Sequence, residues 1–158
     1  MYLHFGICLY LILINMKFPV IPVSSGLIIQ NTKVLIGLRS KCDNGGGLWE
    51  FPGGKIEINE SSEEAVKREL NEELDIVSQN PKKIMQYLHR FNNMIYDISF
   101  FEITSFEGSV KRIVHDELEW VDLNSINKYN FISGDLLIIE RLIKKPSLVD
   151  GLELLNEV

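Results

Sequence analysis

Cysteine is nearly absent from this chain. Cys8 and Cys42 are the only two in 158 residues. Two thiols make neither a disulfide framework nor a structural zinc site, so a reducing compartment, the cytoplasm, is the expected location. An excess of positive charge is also missing. The formal net charge is −6, from 16 Lys and Arg against 22 Asp and Glu. That argues against a nucleic acid polymer as partner, because such binding needs a basic surface. It leaves open an anionic small molecule held through a metal. Nor is there a convincing membrane span. "YLHFGICLYLILI", residues 2–14, is a run of thirteen mostly apolar residues, where a spanning helix needs about 20. It lacks the basic n-region and small-residue cleavage site of a signal peptide. Two readings of residues 1–15 stand side by side: a start codon placed too early, with Met16 the natural start, or an apolar N-terminal extension packed on the body. Residues 16–158 are expected to form a single domain, since no repeat, low-complexity block or long linker divides them.

The remaining sequence has the balance of a soluble globular protein, 46% hydrophobic and 24% charged. Residues 20–29 and 33–39 read as two strands joined by a turn at Asn31-Thr32. "SKCDNGGG" is a loop, and "LWEF" a short extended piece ending at Pro52. Ser61 and Glu64 form a capping box that starts a helix, with Val66, Leu70 and Leu74 as its apolar stripe. "KIMQYLHRF" and "MIYDISFFEI" read as strands around Asn92-Asn93, and "ELEWVDL" as another. "GDLLIIERLIKK" is a final amphipathic helix, and the tail "SLVDGLELLNEV" suggests a short further one. Strands before and after a helix, with another helix near the end, predict a mixed sheet sandwiched by helices, an α/β/α arrangement.

The chemistry concentrates in "GGKIEINESSEEAVKRELNEELDI", Gly53 to Ile76. Glu69, Glu72 and Glu73 are spaced i, i+3, i+4, so on a helix they point the same way, within about 100° of arc. Three carboxylates together raise one another's pKa, and a divalent cation removes that cost. Oxygen-only ligands select a hard ion, Mg²⁺ or alternatively Mn²⁺. Mg²⁺ keeps positions for water and substrate phosphate, so the cluster beside a glycine turn points to metal-assisted chemistry on a phosphate compound.

The same stretch resembles the Nudix box. Gly54, Glu60, Arg68, Glu69, Leu70, Glu72, Glu73 and Ile76 occupy its defining positions; Asp75 alone departs, standing where the box has glycine. That glycine ends the helix in a left-handed conformation, which Asp tolerates at about 1 kcal/mol. "LWEFPGGKIE" is similar to the MutT-like members that act on nucleoside triphosphates, and the likeness runs from about Met16 to Lys145. The resemblance implies metal ligation by Glu69, Glu72, Glu73 and the Gly53 carbonyl. It also implies a mostly structural role for Gly54, Glu60 and Arg68, the arginine orienting neighbouring glutamates; a helical Glu64–Arg68 pair is the alternative. Arg39 falls where such enzymes place a phosphate-binding arginine, though it is equally readable as a strand-end charge. "VHDELEWVDL" resembles a family segment whose leading glutamate is a further metal ligand. Val114 occupies that place, so either Asp116 or Glu117 substitutes, or the site runs on fewer carboxylates. Asp135 falls where some members read the nucleobase edge, and is otherwise a helix-start residue.

The resemblance therefore implies Mg²⁺-dependent hydrolysis of a nucleoside triphosphate to monophosphate and pyrophosphate. 8-oxo-dGTP, or CTP and dCTP-type nucleotides, are the expected substrates, in a housecleaning role. A hydrolase of nucleoside diphosphates linked to another group, such as ADP-ribose, is the alternative. The proline expected after the box in that class would fall near Phe91 and is missing. A non-catalytic nucleotide sensor is a third reading, against which stands the full set of box glutamates.

Overall fold

The computed structural model describes residues 18–145. The expectations for residues 1–15, a start at Met16 and a short helix in the tail all lie outside these residues. A mixed sheet forms the frame. β1 (Val20–Gln30) runs parallel to β7 (Met94–Ile103) along nine residue pairs, Val20↔Ile95 to Ile28↔Ile103. On its other side β1 pairs antiparallel with β4 (Gly53–Lys55) through Val23–Ser25, and with β2 (Lys33–Leu38) through Ile29 and Gln30. β2 in turn carries β3 (Trp49–Glu50) and β9 (Glu117–Asp122). β6 (Lys82–Phe91) forms a hairpin with β7 over Asn92-Asn93 and is an outer strand of the order β3-β2-β1-β7-β6. A separate ribbon pairs β5 (Ile76–Gln79) with β8 (Ser105–Gly108).

Helices cover both faces, as the alternation of strand side chains requires. Ile28 of β1, Leu35 of β2, and Phe101 and Ile103 of β7 point to one face. There they meet Val66, Leu70 and Leu74 of α1 (Ser62–Leu74). Their neighbours Leu27, Ile29, Val34, Ile36 and Phe100 point to the other face. They meet Ile138, Ile139 and Leu142 of α2 (Leu136–Lys144). A 3₁₀ helix, Leu123–Lys128, connects β9 toward that second layer, with Leu123 and Ile126 buried in it. The chain thus has the expected α/β/α sandwich. Burying Leu70 fully contributes about 2–3 kcal/mol, more than any exposed charge pair on the same helix.

α1 begins as the sequence indicates. The Ser61 hydroxyl accepts from Glu64 N–H at 3.2 Å, and the Glu64 carboxylate accepts from Ser61 N–H at 2.8 Å. That commitment removes Glu64 as Arg68's partner. Asp75 closes the helix in the left-handed region, φ 57° and ψ 37°, with its N–H bonded to the Asn71 carbonyl. Only its exposed ion pair with Lys111, at 2.6 Å, compensates. Asp75→Gly should raise the unfolding free energy by roughly 1 kcal/mol, less the fraction of a kcal/mol carried by the Lys111 pair. Urea denaturation of both proteins checks this, and a Lys111→Ala background should show the full gain.

Candidate active site

β4 and α1 build the acidic end of one cleft. Gly53 sits at φ 152°, and a Cβ there would lie 2.3 Å from the Ser24 carbonyl oxygen of β1. Gly54 faces the helix: a Cβ would lie 2.3 Å from Glu69 Oε1. Gly53 is therefore required by space and by conformation, while a side chain at Gly54 would displace the carboxylate of Glu69. Gly53 N–H donates to Glu73 Oε2 at 3.0 Å, which locks the turn to the helix. Burial pushes the Glu73 carboxyl up to about 7, against the pull of the nearby His115; Glu50 and Glu69 add to the rise.

Arg68 ties the cluster. Its Nε and one terminal nitrogen donate to the two Glu60 oxygens at 2.8 and 2.9 Å, a bidentate pair. The other terminal nitrogen donates to Glu69 at 2.8 Å and Glu72 at 3.2 Å, and the guanidinium also reaches the Lys55 carbonyl at 3.0 Å. This charge holds the Glu60 carboxyl below the usual range. Glu72 is the most exposed of the three box carboxylates named as ligands.

The cleft has a volume of about 750 Å³ and brings together Gly53, Gly54, Glu69, Glu73, Arg39 and Asp135. Arg39 and Asp135 thus reach the site by separate routes. Arg39, past the end of β2, donates to Glu50 Oε2 at 2.5 Å and to the Asn44 carbonyl at 3.1 Å. Asp135 is 3% exposed, and its Oδ2 accepts from Phe51 N–H at 2.8 Å. It is the N-cap residue of α2, yet its side chain makes no capping bond to that helix and is committed to Phe51 instead. Burial pushes its carboxyl up to about 8, with Glu50 adding to the rise and Phe51 N–H and Arg39 opposing it.

Glu117 is not brought into this cleft. It lines a shallow groove with Arg112, Asp116 and Trp120 instead, because β9 pairs with β2 at Leu38↔Glu117 and carries it away. Asp116 is held beside the loop, accepting from Lys41 N–H at 3.2 Å. Neither carboxylate takes the place of the one that Val114 lacks, although Val114 itself lines the cleft.

Glu50, His115 and His89 line the cleft as well, and the sequence reading assigns none of them a part in the site. Glu50 is buried between Arg39 and His115, whose Nε2 lies 3.3 Å from Glu50 Oε1. His115 packs flat on Gly37, where a Cβ would lie 2.4 Å from its ring. His89 reaches the cleft from β6, with Nε2 2.9 Å from Ser133 Oγ. Glu50 stands inside the quoted "LWEFPGG", but only the pairing Gly37↔Glu50 sets it against Arg39 and His115.

A glycine turn locked onto a helix of clustered glutamates, facing a deep cleft, is the decisive observation here. A family model described as "NUDIX domain" matches residues 25–141, most of the chain. This protein belongs to the NUDIX domain family. It is 28% identical over 120 residues to the CTP pyrophosphohydrolase of Escherichia coli, a match covering 76% of this chain and 89% of that one. It is 33% identical over 125 residues to the 8-oxo-dGTP diphosphatase of Buchnera aphidicola, covering 75% and 90%. The solution structure of the E. coli ORF135 protein superposes with a TM-score of 0.74 at 26% identity, covering 84% of this chain and 94% of that one. The chain is thus a MutT-like Nudix hydrolase, an enzyme acting on nucleotide pyrophosphate bonds.

Asp135 gives this Nudix domain a pH signature in its stability. With its folded-state pKa near 8 and an ordinary value of 3.8, the folded chain holds a proton there that the unfolded chain has lost. The resulting stabilisation is complete below the ordinary value and disappears as pH rises through the folded one. Asp135→Asn keeps an acceptor for Phe51 N–H and cannot titrate. Urea midpoints at pH 5, 6.5 and 8 should fall more steeply for the parent than for the variant. The difference in slope should reach at most about 1.4 kcal/mol per pH unit.

Proposed function

We propose that this chain hydrolyses a nucleoside triphosphate to the monophosphate and pyrophosphate with Mg²⁺, Mn²⁺ serving as the alternative. The observation that carries the reading is the single cleft whose acidic end holds Glu69 and Glu73 and whose far end is apolar and aromatic, with Ile98, Phe131 and Tyr96. A polyphosphate suits the first end when a cation is present, and a base suits the second. The names borne by the relatives support the same substrate class, with 8-oxo-dGTP or CTP as the nucleotide.

The residues fit a hard cation by donor type. Glu69, Glu72 and Glu73 with the Gly53 carbonyl offer oxygen alone. The two glycines leave room that any side chain would fill. Among the described residues these carboxylates are not gathered into a ligand set, and Arg68 pairs with Glu69 and Glu72. When bound, the cation would neutralise phosphate charge and lower the pKa of an attacking water.

The rest falls to the chain. Glu69, fixed by Arg68 on one side and Gly54 on the other, is positioned to accept the water proton. Arg39 binds phosphate oxygens, and Glu50 and the Asn44 carbonyl hold its guanidinium at the cleft. Arg68 and Glu60 orient the carboxylates without touching substrate. Asp135 reads the base edge with the oxygen not committed to Phe51, donating to a carbonyl when protonated and accepting from an amino or ring N–H when ionised. Glu117, directed to the other groove, has no part in this scheme.

The test is a nucleotide panel scored for pyrophosphate release with and without Mg²⁺. Glu72→Gln and Glu73→Gln should each lower turnover by at least about 100-fold, since each removes a charged oxygen where the transition state gathers charge. Near-normal metal-dependent turnover in both variants would sink the assignment.

A further inference from the structure

The base end of the cleft contains a polar pair of its own. His89 Nε2 and Ser133 Oγ lie 2.9 Å apart, one on β6 and the other on the loop before α2. Both side chains line the cleft and both are only half-buried, so a ligand can reach them. Two strands separate β6 from β4 in the sheet, β1 and β7, so the pair stands well away from the glycine turn. Aromatic rings surround it. Phe91 stacks against His89 with centroids 6.5 Å apart and planes 15° apart, and Tyr96 sits opposite His89 in the β6–β7 register.

We propose that His89 and Ser133 form a reversible reader of the nucleobase edge, so that one pocket takes both 6-oxopurine and 4-aminopyrimidine nucleotides. This rests on the nucleotide reading above and adds to it the choice of base. The argument is an inventory of protons. A neutral imidazole has one donor and one acceptor, and a serine hydroxyl has one donor and lone pairs to spare. When His89 donates to Ser133, the hydroxyl proton is free to meet a base carbonyl, as on guanine or oxidised guanine. When His89 accepts from Ser133, the hydroxyl lone pairs are left to accept from an amino group, as on cytosine. A tautomer change at His89 exchanges the two states without moving a heavy atom. Burial pushes the His89 pKa down, which favours the neutral ring that both states need. Asp135 adds a second polar group to the same cleft, one that donates when protonated and only accepts when ionised, whereas the His89–Ser133 pair can present either face without a change of charge.

The structural alternative is that the pair merely ties the loop to β6. A separate tie already does so, because Tyr87 OH donates to the Gly134 carbonyl on the other side of that loop. Tyr87 does not line the cleft, which makes Tyr87→Phe the control. The experiment is calorimetric titration of the full chain, with Mg²⁺, using 8-oxo-dGMP, CMP and inorganic pyrophosphate as separate probes. Ser133→Ala should weaken both monophosphates by about tenfold, the scale of one lost hydrogen bond, and leave pyrophosphate unchanged. His89→Phe should weaken both as well, and His89→Gln, which keeps a donor and an acceptor, should recover to within about threefold of the parent. Tyr87→Phe should leave all three affinities as they are. Unchanged monophosphate affinities in Ser133→Ala, or an equal loss in Tyr87→Phe, would reduce the pair to a loop tie and overturn the proposal. A parent that binds only one of the two bases overturns the reversible reading. A parent that binds pyrophosphate but neither monophosphate overturns the nucleotide reading and this one together.

Discussion

The guanidinium of Arg68 is the constraint on which the acidic end of the cleft depends. Its planar fork meets Glu60 with two bonds, Glu69 and Glu72 with one each, and the carbonyl of Lys55 besides. It therefore joins the turn after β4, the loop before α1 and the helix itself. A lysine could not satisfy that set, because a point charge lacks the spread donors of a fixed plane. The gain is orientation more than net stability. Ion pairs at a surface contribute little, while removing one partner here would leave carboxylates crowded against each other and against the turn. Arg68 thus holds together groups that repel.

The turn and the helix depend on each other through this network. Glu69 lies where a Cβ on Gly54 would be, and Glu73 caps the Gly53 N–H. The glycines give the helix room, and the helix carboxylates in turn fix the glycines. Leu70, one residue on from Glu69, anchors the helix in the core beneath Gly26, where a Cβ would approach it to 3.1 Å. Helix period places the buried anchor and the exposed carboxylates on adjacent faces, so a few residues provide both packing and chemistry.

Much of this was legible in the sequence, for physical reasons that can be named. The capping box, the apolar stripe and the carboxylate spacing of α1 are all local, and helix geometry converts local spacing directly into direction. The β1–β2 and β6–β7 hairpins announced themselves by alternation around short turns. What escaped notice depends on pairing across the chain. β4, β5 and β8 are three or four residues long and carry too little periodicity to be read. Glu50 acquires its role only through the register Gly37↔Glu50, and His115 only by lying on Gly37. Glu117 looked suitable because it follows Val114 closely in sequence. Yet Asp116 N–H bonds to the Leu38 carbonyl, which starts the β9 pairing at that point and sends Glu117 along the sheet to another groove.

Val114 is then best understood together with Glu50. Val114, which stands where the resemblance implies a glutamate, presents an exposed apolar side chain to the cleft. The adjacent His115 turns inward instead, against a buried Glu50 that already neutralises Arg39. Negative charge has not left the cleft; it lies deeper, in a position shared with an arginine and an imidazole. A charge so placed polarises its neighbours more strongly than one at the rim, because less water screens it. Burial is the main reason the Glu73 and Asp135 carboxyls are raised, and Glu50, with Glu73 on one side and Asp135 on the other, adds to both. The acidic end and the base end of the cleft are consequently not independent. Glu50 faces both carboxyls at once and adds to the rise that burial imposes on each.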